Sequence, residues 1–92
     1  MVGAHVKTLP LATISYGATV GDYSTIAGGA VVAAEVRIGR CVYVGANAAI
    51  RERITIGDDV ILGMGAMVVR DIPSGTVAVG IPARPIEHVK SR

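Results

Sequence analysis

The sequence predicts an all-β fold, a parallel β-helix of about four triangular coils with a C-terminal tail that caps it. Two observations predict this fold. Aliphatic residues recur at every sixth position: Ile14, Val20, Ile26, Val32, Ile38, Val44, Ile50, Ile56, Leu62 and Val68. A second small or aliphatic residue precedes each by two positions: Ala12, Ala18, Ser24, Ala30, Val36, Val42, Ala48, Ile54, Val60 and Ala66. Residues two apart share one face of a strand, whereas residues six apart do not share one side of a helix.

Each six-residue unit corresponds to one side of a polygon, with two inward side chains and then a bend. A small residue that suits a bend follows most of the aliphatic positions: Ser15, Gly21, Ala27, Ala33, Gly39, Gly45, Gly57 and Gly63. Three units make a triangular coil, and coils of this kind stack about 4.8 Å apart through parallel strand hydrogen bonds.

The repeat and the tail divide the chain into two parts. We expect the repeat to span residues 2–73, which gives twelve units in four coils, and the tail to span residues 74–92. Ser74-Gly75 is a turn signal, and Pro82 and Pro85 prevent a regular helix in the tail. Because an open strand edge invites aggregation, we expect the tail to cover one end of the stack.

The residues between the paired inward positions point outward and form three columns, one on each side of the predicted prism. These columns are Thr13, Val31, Ala49 and Met67; Lys7, Thr25, Tyr43 and Ile61; and Thr19, Arg37, Thr55 and Pro73. The first two columns are apolar in their later coils. A partner usually buries such stripes, and a triangular prism offers matching faces to two copies of itself, so we predict a homotrimer.

Composition excludes several other classes of protein. The longest apolar run, residues 26–34, is far shorter than a membrane-spanning helix, and the start has no signal-peptide core, so we expect a cytoplasmic protein with no membrane partner. The net charge of +2 comes without a basic run, which argues against nucleic-acid binding. Cys41 is the single cysteine and has no internal disulfide partner. No Cys/His cluster has metal-ligand spacing, so we expect no metal site.

The later part of the chain resembles a known family. The segments Ile56-Gly-Asp-Asp-Val-Ile, Leu62-Gly-Met-Gly-Ala-Met, Val68-Val-Arg-Asp-Ile-Pro and Val79-Gly-Ile-Pro-Ala-Arg84 resemble the closing part of hexapeptide-repeat acetyltransferases. The resemblance covers residues 2 to about 86 and is closest to the sialic-acid and bacillosamine-type sugar acetyltransferases. It implies a left-handed coil, a trimer, and acetyl-CoA in the groove between adjacent subunits.

The resemblance also implies a catalytic position. In the family a His on a coil corner removes the proton of a sugar amine or hydroxyl that attacks the thioester, and a second His nine residues later faces the acetyl carbonyl. Here Tyr16 stands at the first position, followed by Gly17 where the family has an acidic residue, and Thr25 stands at the second. A phenol ordinarily keeps its proton at neutral pH and is a poor base.

The cofactor positions of the family match this chain more closely. Ala46, Gly63 and Met64 fall where main-chain groups line the pantetheine arm in the family. Gly80, Pro82 and Arg84 fall where the tail approaches the nucleotide end. A guanidinium such as that of Arg84 suits a bidentate pair with a CoA phosphate.

Two functional hypotheses remain open from the sequence. The first is an acetyl-CoA-dependent acetyltransferase that acts on an amine or hydroxyl of a sugar-type small molecule. The second is a catalytically inactive trimeric β-helix that binds a ligand or partner. Catalytic roles for His5, His88 or Cys41 are weaker alternatives, and we expect most carboxylates to be solvated at corners: Asp22, Glu35, Glu52, Asp58, Asp59, Asp71 and Glu87. Asn47 is expected to hydrogen-bond between coils.

Overall fold

The computed structural model describes residues 1–88, and this part of the chain consists of short β-strands and turns. The strands are β1 (Lys7–Thr8), β2 (Thr13–Ile14), β3 (Thr19–Val20), β4 (Thr25–Ile26), β5 (Val31–Val32), β6 (Arg37–Ile38), β7 (Tyr43–Val44), β8 (Ala49–Ile50), β9 (Thr55–Ile56), β10 (Ile61–Leu62), β11 (Met67–Val68), β12 (Thr76–Val79) and β13 (Arg84–His88). The strands up to β11 begin every six residues, so the predicted repeat is confirmed.

The strands stack into three sheets, which we call faces, and all pairs except that of β12 with β13 are parallel. The first face has the order β1-β4-β7-β10-β12-β13, the second β11-β8-β5-β2 and the third β3-β6-β9. Successive strands of a face lie eighteen residues apart, as in the pairing of Lys7 with Thr25 and of Thr25 with Tyr43. The outward columns of the first and second faces have the predicted register up to Ile61 and Met67.

Turns at the corners of the triangle form three edges. The first edge contains the turns at residues 4–5, 22–23, 40–41 and 58–59; the second, 10–11, 28–29, 46–47 and 64–65; the third, 16–17, 34–35 and 52–53. The second residue of each of these turns has a left-handed backbone, with φ between 55° and 73°. Three of these residues are glycines. The others have a Cβ, which raises the conformational energy of a left-handed backbone.

The interior of the prism is aliphatic. The inward positions named from the sequence are buried from Ala18 to Val68. Because neither Phe nor Trp occurs in the chain, branched side chains fill a narrow core in layers, and each layer rests on the next.

The last coil departs from the predicted register. Thr55 was expected opposite Pro73, but Ile56 bridges to Ile72, and Ile61 pairs with Val77, sixteen residues later. The regular phase would place Ser74 inward, but its hydroxyl instead accepts a hydrogen bond of 2.8 Å from the Asp58 N–H. Ile72 takes that place with 5% of its surface exposed, while Asp71 Oδ1 accepts a hydrogen bond of 2.9 Å from the Thr55 N–H.

The tail covers the C-terminal end of the stack, as predicted. Strand β13 runs antiparallel to β12 at the edge of the first face. The chain between them crosses the second edge, where the Met67 N–H donates to the Gly80 carbonyl and the Ala83 N–H donates to the Met67 carbonyl. Ala83 packs against the core.

Candidate functional site

Four of the predicted cofactor positions lie together on the second edge. Gly63 and Met64 lie there one coil after Ala46, and Gly80 follows at the C-terminal end of the edge. Hydrogen bonds between coils hold this alignment: the Gly65 N–H donates to the Ala46 carbonyl at 2.8 Å, and the Gly63 N–H donates to the Ala78 carbonyl at 2.9 Å.

The first and second edges differ in whether the main-chain N–H groups of their turns have a side-chain acceptor in the next coil. On the first edge, three of the four first turn residues donate their N–H to a side chain of the next coil: Ala4 to Asp22, Arg40 to Asp58, and Asp58 to Ser74, each at 2.8 Å. On the second edge the residue one coil after Ala46 is Met64, whose side chain has no oxygen to accept such a bond. Among residues 1–88, the N–H of Ala46 has no hydrogen-bond acceptor. This N–H is therefore available to a ligand carbonyl.

Arg84 and Pro82 lie in a separate groove over the C-terminal end of the second face. The groove has a volume of about 330 Å³ and is also lined by Val69, Arg70, Ala83 and Pro85. Arg70 was not selected from the sequence, because only the fold of the tail brings it to the groove that Arg84 lines. Two guanidinium groups beside one groove suit an anionic ligand such as a phosphate.

Tyr16 lies on the third edge, away from the cofactor positions. Its side chain is 87% exposed, and its carbonyl accepts a hydrogen bond from the Glu35 N–H. In the next coils of this edge, Glu35 pairs with Arg53 at 3.2 Å, and both side chains are solvent-exposed. The second face separates Tyr16 from the second edge, so one copy of the chain does not place Tyr16 beside Ala46.

Thr25 lies on the first face, in a groove of about 400 Å³ lined by Tyr23, Cys41, Val42, Tyr43 and Ile61. At the adjoining first edge the imidazole of His5 is stacked on the ring of Tyr23, with centroids 5.0 Å apart and an interplanar angle of 12°. Sequence reasoning placed His5 on a corner but missed this stacking.

Three of the carboxylates are not merely solvated. Asp22, Asp58 and Asp71 each accept a main-chain hydrogen bond from the preceding coil, which corrects the expectation from sequence for these three residues. A signal for two of them was present, since Gly21-Asp22 and Gly57-Asp58 occupy equivalent positions two coils apart. The Asn47 main chain, rather than its side chain, supplies an inter-coil hydrogen bond, from its N–H to the Gly28 carbonyl.

The remaining sequence candidates are Cys41, Glu87 and His88. Cys41 is half-buried and has a free thiol. The side chains of Glu87 and His88, and the whole of residues 89–92, lie outside the described part. Within residues 1–88 no three His, Cys, Asp or Glu side chains group closely enough to hold a metal ion, and no helix is long and apolar enough to cross a membrane.

Comparison with known proteins identifies the family. The family model for bacterial transferase hexapeptide, six repeats, matches residues 35–70, which contain strands β6 to β11 in the C-terminal half of the stack. The chain belongs to this hexapeptide-repeat acyltransferase family. Strands β1 to β11, wound in three faces, are the structural form of that repeat.

The relatives are acyltransferases. Galactoside O-acetyltransferase of Escherichia coli is 31% identical over 91 residues, which cover 99% of this chain and 45% of that protein. The structure of UDP-N-acetylglucosamine O-acyltransferase from Moraxella catarrhalis superposes with a TM-score of 0.95 at 25% identity, over 97% of this chain and 35% of that one. The likeness identifies the coil as a left-handed β-helix.

A third relative was solved with its ligands. Perosamine N-acetyltransferase from Caulobacter crescentus, in complex with CoA and GDP-perosamine, matches with a TM-score of 0.71 and 27% identity, over 95% of this chain and 53% of that one. The chain spans about a quarter to a half of the length of three curated relatives that it matches.

Proposed function

We propose that this protein is an acetyl-CoA-dependent acetyltransferase that modifies an amine or hydroxyl of a sugar-type small molecule. The observation that carries the proposal is the second edge, where the Ala46 N–H has no acceptor among residues 1–88 and Gly63, Met64 and Gly80 continue the same line. Relatives that acetylate a galactoside and perosamine support the reaction class. The cytoplasm is the proposed location.

The residues fit the thioester substrate at two points. The pantetheine arm of acetyl-CoA contains amide groups, and one amide carbonyl accepts the Ala46 N–H. The nucleotide end is polyanionic, and the groove of Arg70 and Arg84 offers it two guanidinium groups. Thr25 is assigned to the acetyl end, as the family pattern implies.

A homotrimer completes the proposed site. Within one chain Tyr16 and the cofactor edge are separated by the second face, so a neighbouring copy must supply the third-edge residues. The outward residues of that face from Val31 through Ala49 to Met67 form an apolar groove, and a copy packed nearby removes this surface from water.

Proton removal is the step in which this chain departs from its family. An acceptor amine or hydroxyl attacks the thioester carbon and must lose its proton, whereas Tyr16 presents a phenol that ordinarily stays protonated. We propose that water or a group of the acceptor takes the proton. The departing thiolate of CoA then takes up a proton, so that charge balances.

Ligand-dependent melting tests the proposal. We expect the purified protein to have the mass of a trimer and to melt at a higher temperature with millimolar acetyl-CoA, because a ligand at a hundred times its dissociation constant stabilises the folded state by about 2.7 kcal/mol. Arg84→Ala and Arg70→Ala should reduce the shift. Arg37→Ala, on the third face, is the matched control and should leave it intact. A trimer whose melting temperature does not change when acetyl-CoA is added would contradict the proposal.

The inactive module is the second candidate, favoured by the exposed phenol of Tyr16 at the family His position. The double variant Tyr16→His with Thr25→His separates the two candidates. If the cofactor groove is intact, the variant should gain acetyl transfer to sugar amines or alcohols, measured as free thiol released. A variant that binds acetyl-CoA but transfers nothing to any acceptor favours the inactive module.

A further inference from the structure

The first face has a groove whose chemistry differs from that of the other grooves. We propose that the groove between Tyr23 and Tyr43 binds a neutral pyranose ring, as the acceptor subsite of the reaction proposed above, on which this inference rests. Six residues line it: Tyr23, Thr25, Cys41, Val42, Tyr43 and Ile61. Its volume of about 400 Å³ lies in the range of small-molecule sites, which is about 300–1,000 Å³.

Aromatic side chains are concentrated here. The chain has three tyrosines and neither Phe nor Trp, and two of the three line this groove. Tyr23 is 56% exposed and Tyr43 is 46% exposed, so both present aromatic surface to solvent. Two of the three tyrosine side chains therefore lie beside this one groove, where a ligand can reach them.

Tyr23 contacts residues of the preceding coil through both its side chain and its main chain. His5 stacks on its ring in a near-parallel arrangement, and the Tyr23 N–H donates to the Ala4 carbonyl at 3.0 Å. Above it the Cys41 N–H donates to the Asp22 carbonyl at 3.0 Å. A ring held in this way loses less conformational freedom when a ligand binds than a freely rotating one.

The lining of the groove matches a sugar ring. One side of a pyranose is a surface of C–H groups that packs on an aromatic face, while its rim consists of hydroxyls. Thr25, Tyr23 and Tyr43 supply hydroxyl groups that both donate and accept hydrogen bonds. None of the six lining residues is Asp, Glu, Lys, Arg or His, so the groove offers no fixed partner to a charged ligand.

Other grooves suit other ligands. The third-edge groove is lined by Glu35, Arg51, Glu52 and Arg53, and the tail groove by Arg70 and Arg84. The groove on the second face is lined mainly by aliphatic side chains. A nucleotide would also stack on tyrosine, but its phosphates would find their guanidinium partners in the tail groove. A neutral ring is therefore the occupant that fits the first face.

Titration with methyl glycosides tests this inference. The probes are methyl glucopyranoside, methyl galactopyranoside and methyl mannopyranoside, and the readouts are tyrosine fluorescence, which no Trp obscures, and the shifts of the tyrosine ring resonances. We expect at least one glycoside to bind and to perturb the Tyr23 and Tyr43 rings. Tyr23→Asn and Tyr43→Thr should each weaken binding at least tenfold.

The substitutions are chosen to preserve the fold. Asn tolerates the left-handed backbone of Tyr23, where φ is 63°, and Thr already occupies equivalent outward strand positions at Thr25 and Thr55. Leu11→Asn is the matched control, because Leu11 is an exposed corner residue with φ of 68°. It should leave glycoside binding unchanged, and melting temperatures verify that every variant is folded.

Several outcomes would overturn the inference. These are the absence of binding by all three glycosides, binding that survives both tyrosine variants, and tighter binding of adenosine at the same tyrosines. A loss of trimer mass in Tyr23→Asn or Tyr43→Thr would also overturn it, by assigning the groove to a contact between copies. The melting-temperature shift caused by acetyl-CoA is measured on the same samples to distinguish the two proposals. A sample that shows this shift but binds no glycoside rejects only the acceptor subsite.

Discussion

At the scale of single residues, Ser24 shows how a polar side chain is accommodated in an aliphatic core. Ser24 is fully buried, its hydroxyl donates to the Gly39 carbonyl at 2.8 Å, and it accepts from the Val42 N–H at 3.0 Å. In some other turns the corresponding N–H and carbonyl bond to each other, as between Ala48 and Gly45. In the turn at residues 40–41 the Ser24 hydroxyl bridges these two groups instead.

Removal of this hydroxyl should destabilise the protein. Ser24→Ala leaves a buried N–H and a buried carbonyl without a partner, and we expect a loss of about 1–3 kcal/mol in the free energy of unfolding. Chemical denaturation measures the change. Thr76 provides the contrast, because its Oγ1 is buried without a hydrogen-bond partner. Thr76→Val should therefore leave stability unchanged or raise it, and equal losses in both variants would contradict this account.

At the scale of the repeat unit, glycine after the aliphatic residue is required where neighbouring coils approach closely. A Cβ on Gly45 would lie 2.7 Å from the Leu62 carbonyl oxygen, the Gly63 carbonyl carbon and the Met64 nitrogen, all of them main-chain atoms. Backbone atoms of a packed coil have little room to shift, so this position excludes a side chain.

Two glycine substitutions on the same edge separate this effect from a general intolerance of change. Gly45→Ala should cost about 1–3 kcal/mol of stability, as overpacking of a filled interior does. A Cβ on Gly28 meets only the Pro10 carbonyl oxygen, at 3.2 Å, so Gly28→Ala should cost clearly less. Thermal melting of the two variants measures the difference, and similar losses would show that coil spacing is not the cause.

At the scale of the whole molecule, the three faces differ in what they present to solvent. The middle of the second face presents Val31, Ala49 and Met67, whereas the third presents Thr19, Arg37 and Thr55. Val31 is 42% exposed in one copy of the chain. This asymmetry is the basis for the expected trimer and for the choice of a face that packs against a neighbour.

A charge on the second face should disrupt assembly. Val31→Glu buries a carboxylate if that face is covered, and we expect the mass measured by light scattering to fall from a trimer toward a monomer. Thr19→Glu, at an outward strand position of the third face, should leave the mass unchanged. If Val31→Glu remains a trimer, the second face is not part of the interface.

The regular part of the fold was predictable because it depends on local spacing. A period of six with paired inward residues determines strand positions, faces and outward columns, and the sequence predicted these up to Met67. It failed at Pro73, because the shortening of the last coil depends on whether Ile72 or Ser74 fills the core. Which of the two fills the core depends on how well each side chain packs there, and the six-residue period alone does not determine this.

The candidate site was less accessible from the sequence. Resemblance indicated Ala46, Met64 and Arg84, but it did not show that side chains accept from three turn N–H groups on the first edge, whereas the Ala46 N–H on the second edge has no acceptor among residues 1–88. That difference arises from residues one coil apart, which are neighbours only after stacking.

By itself, the sequence determined the repeat, the aliphatic core and the family, because each depends only on which residue types recur at a fixed spacing. Only the tertiary structure decided that Arg70 joins Arg84 on one groove, that His5 stacks on Tyr23, and that Tyr16 stands apart from the second edge. The physical reason is that these relations join residues of different coils, and the separations between coils and across the tail are set by packing and hydrogen bonds.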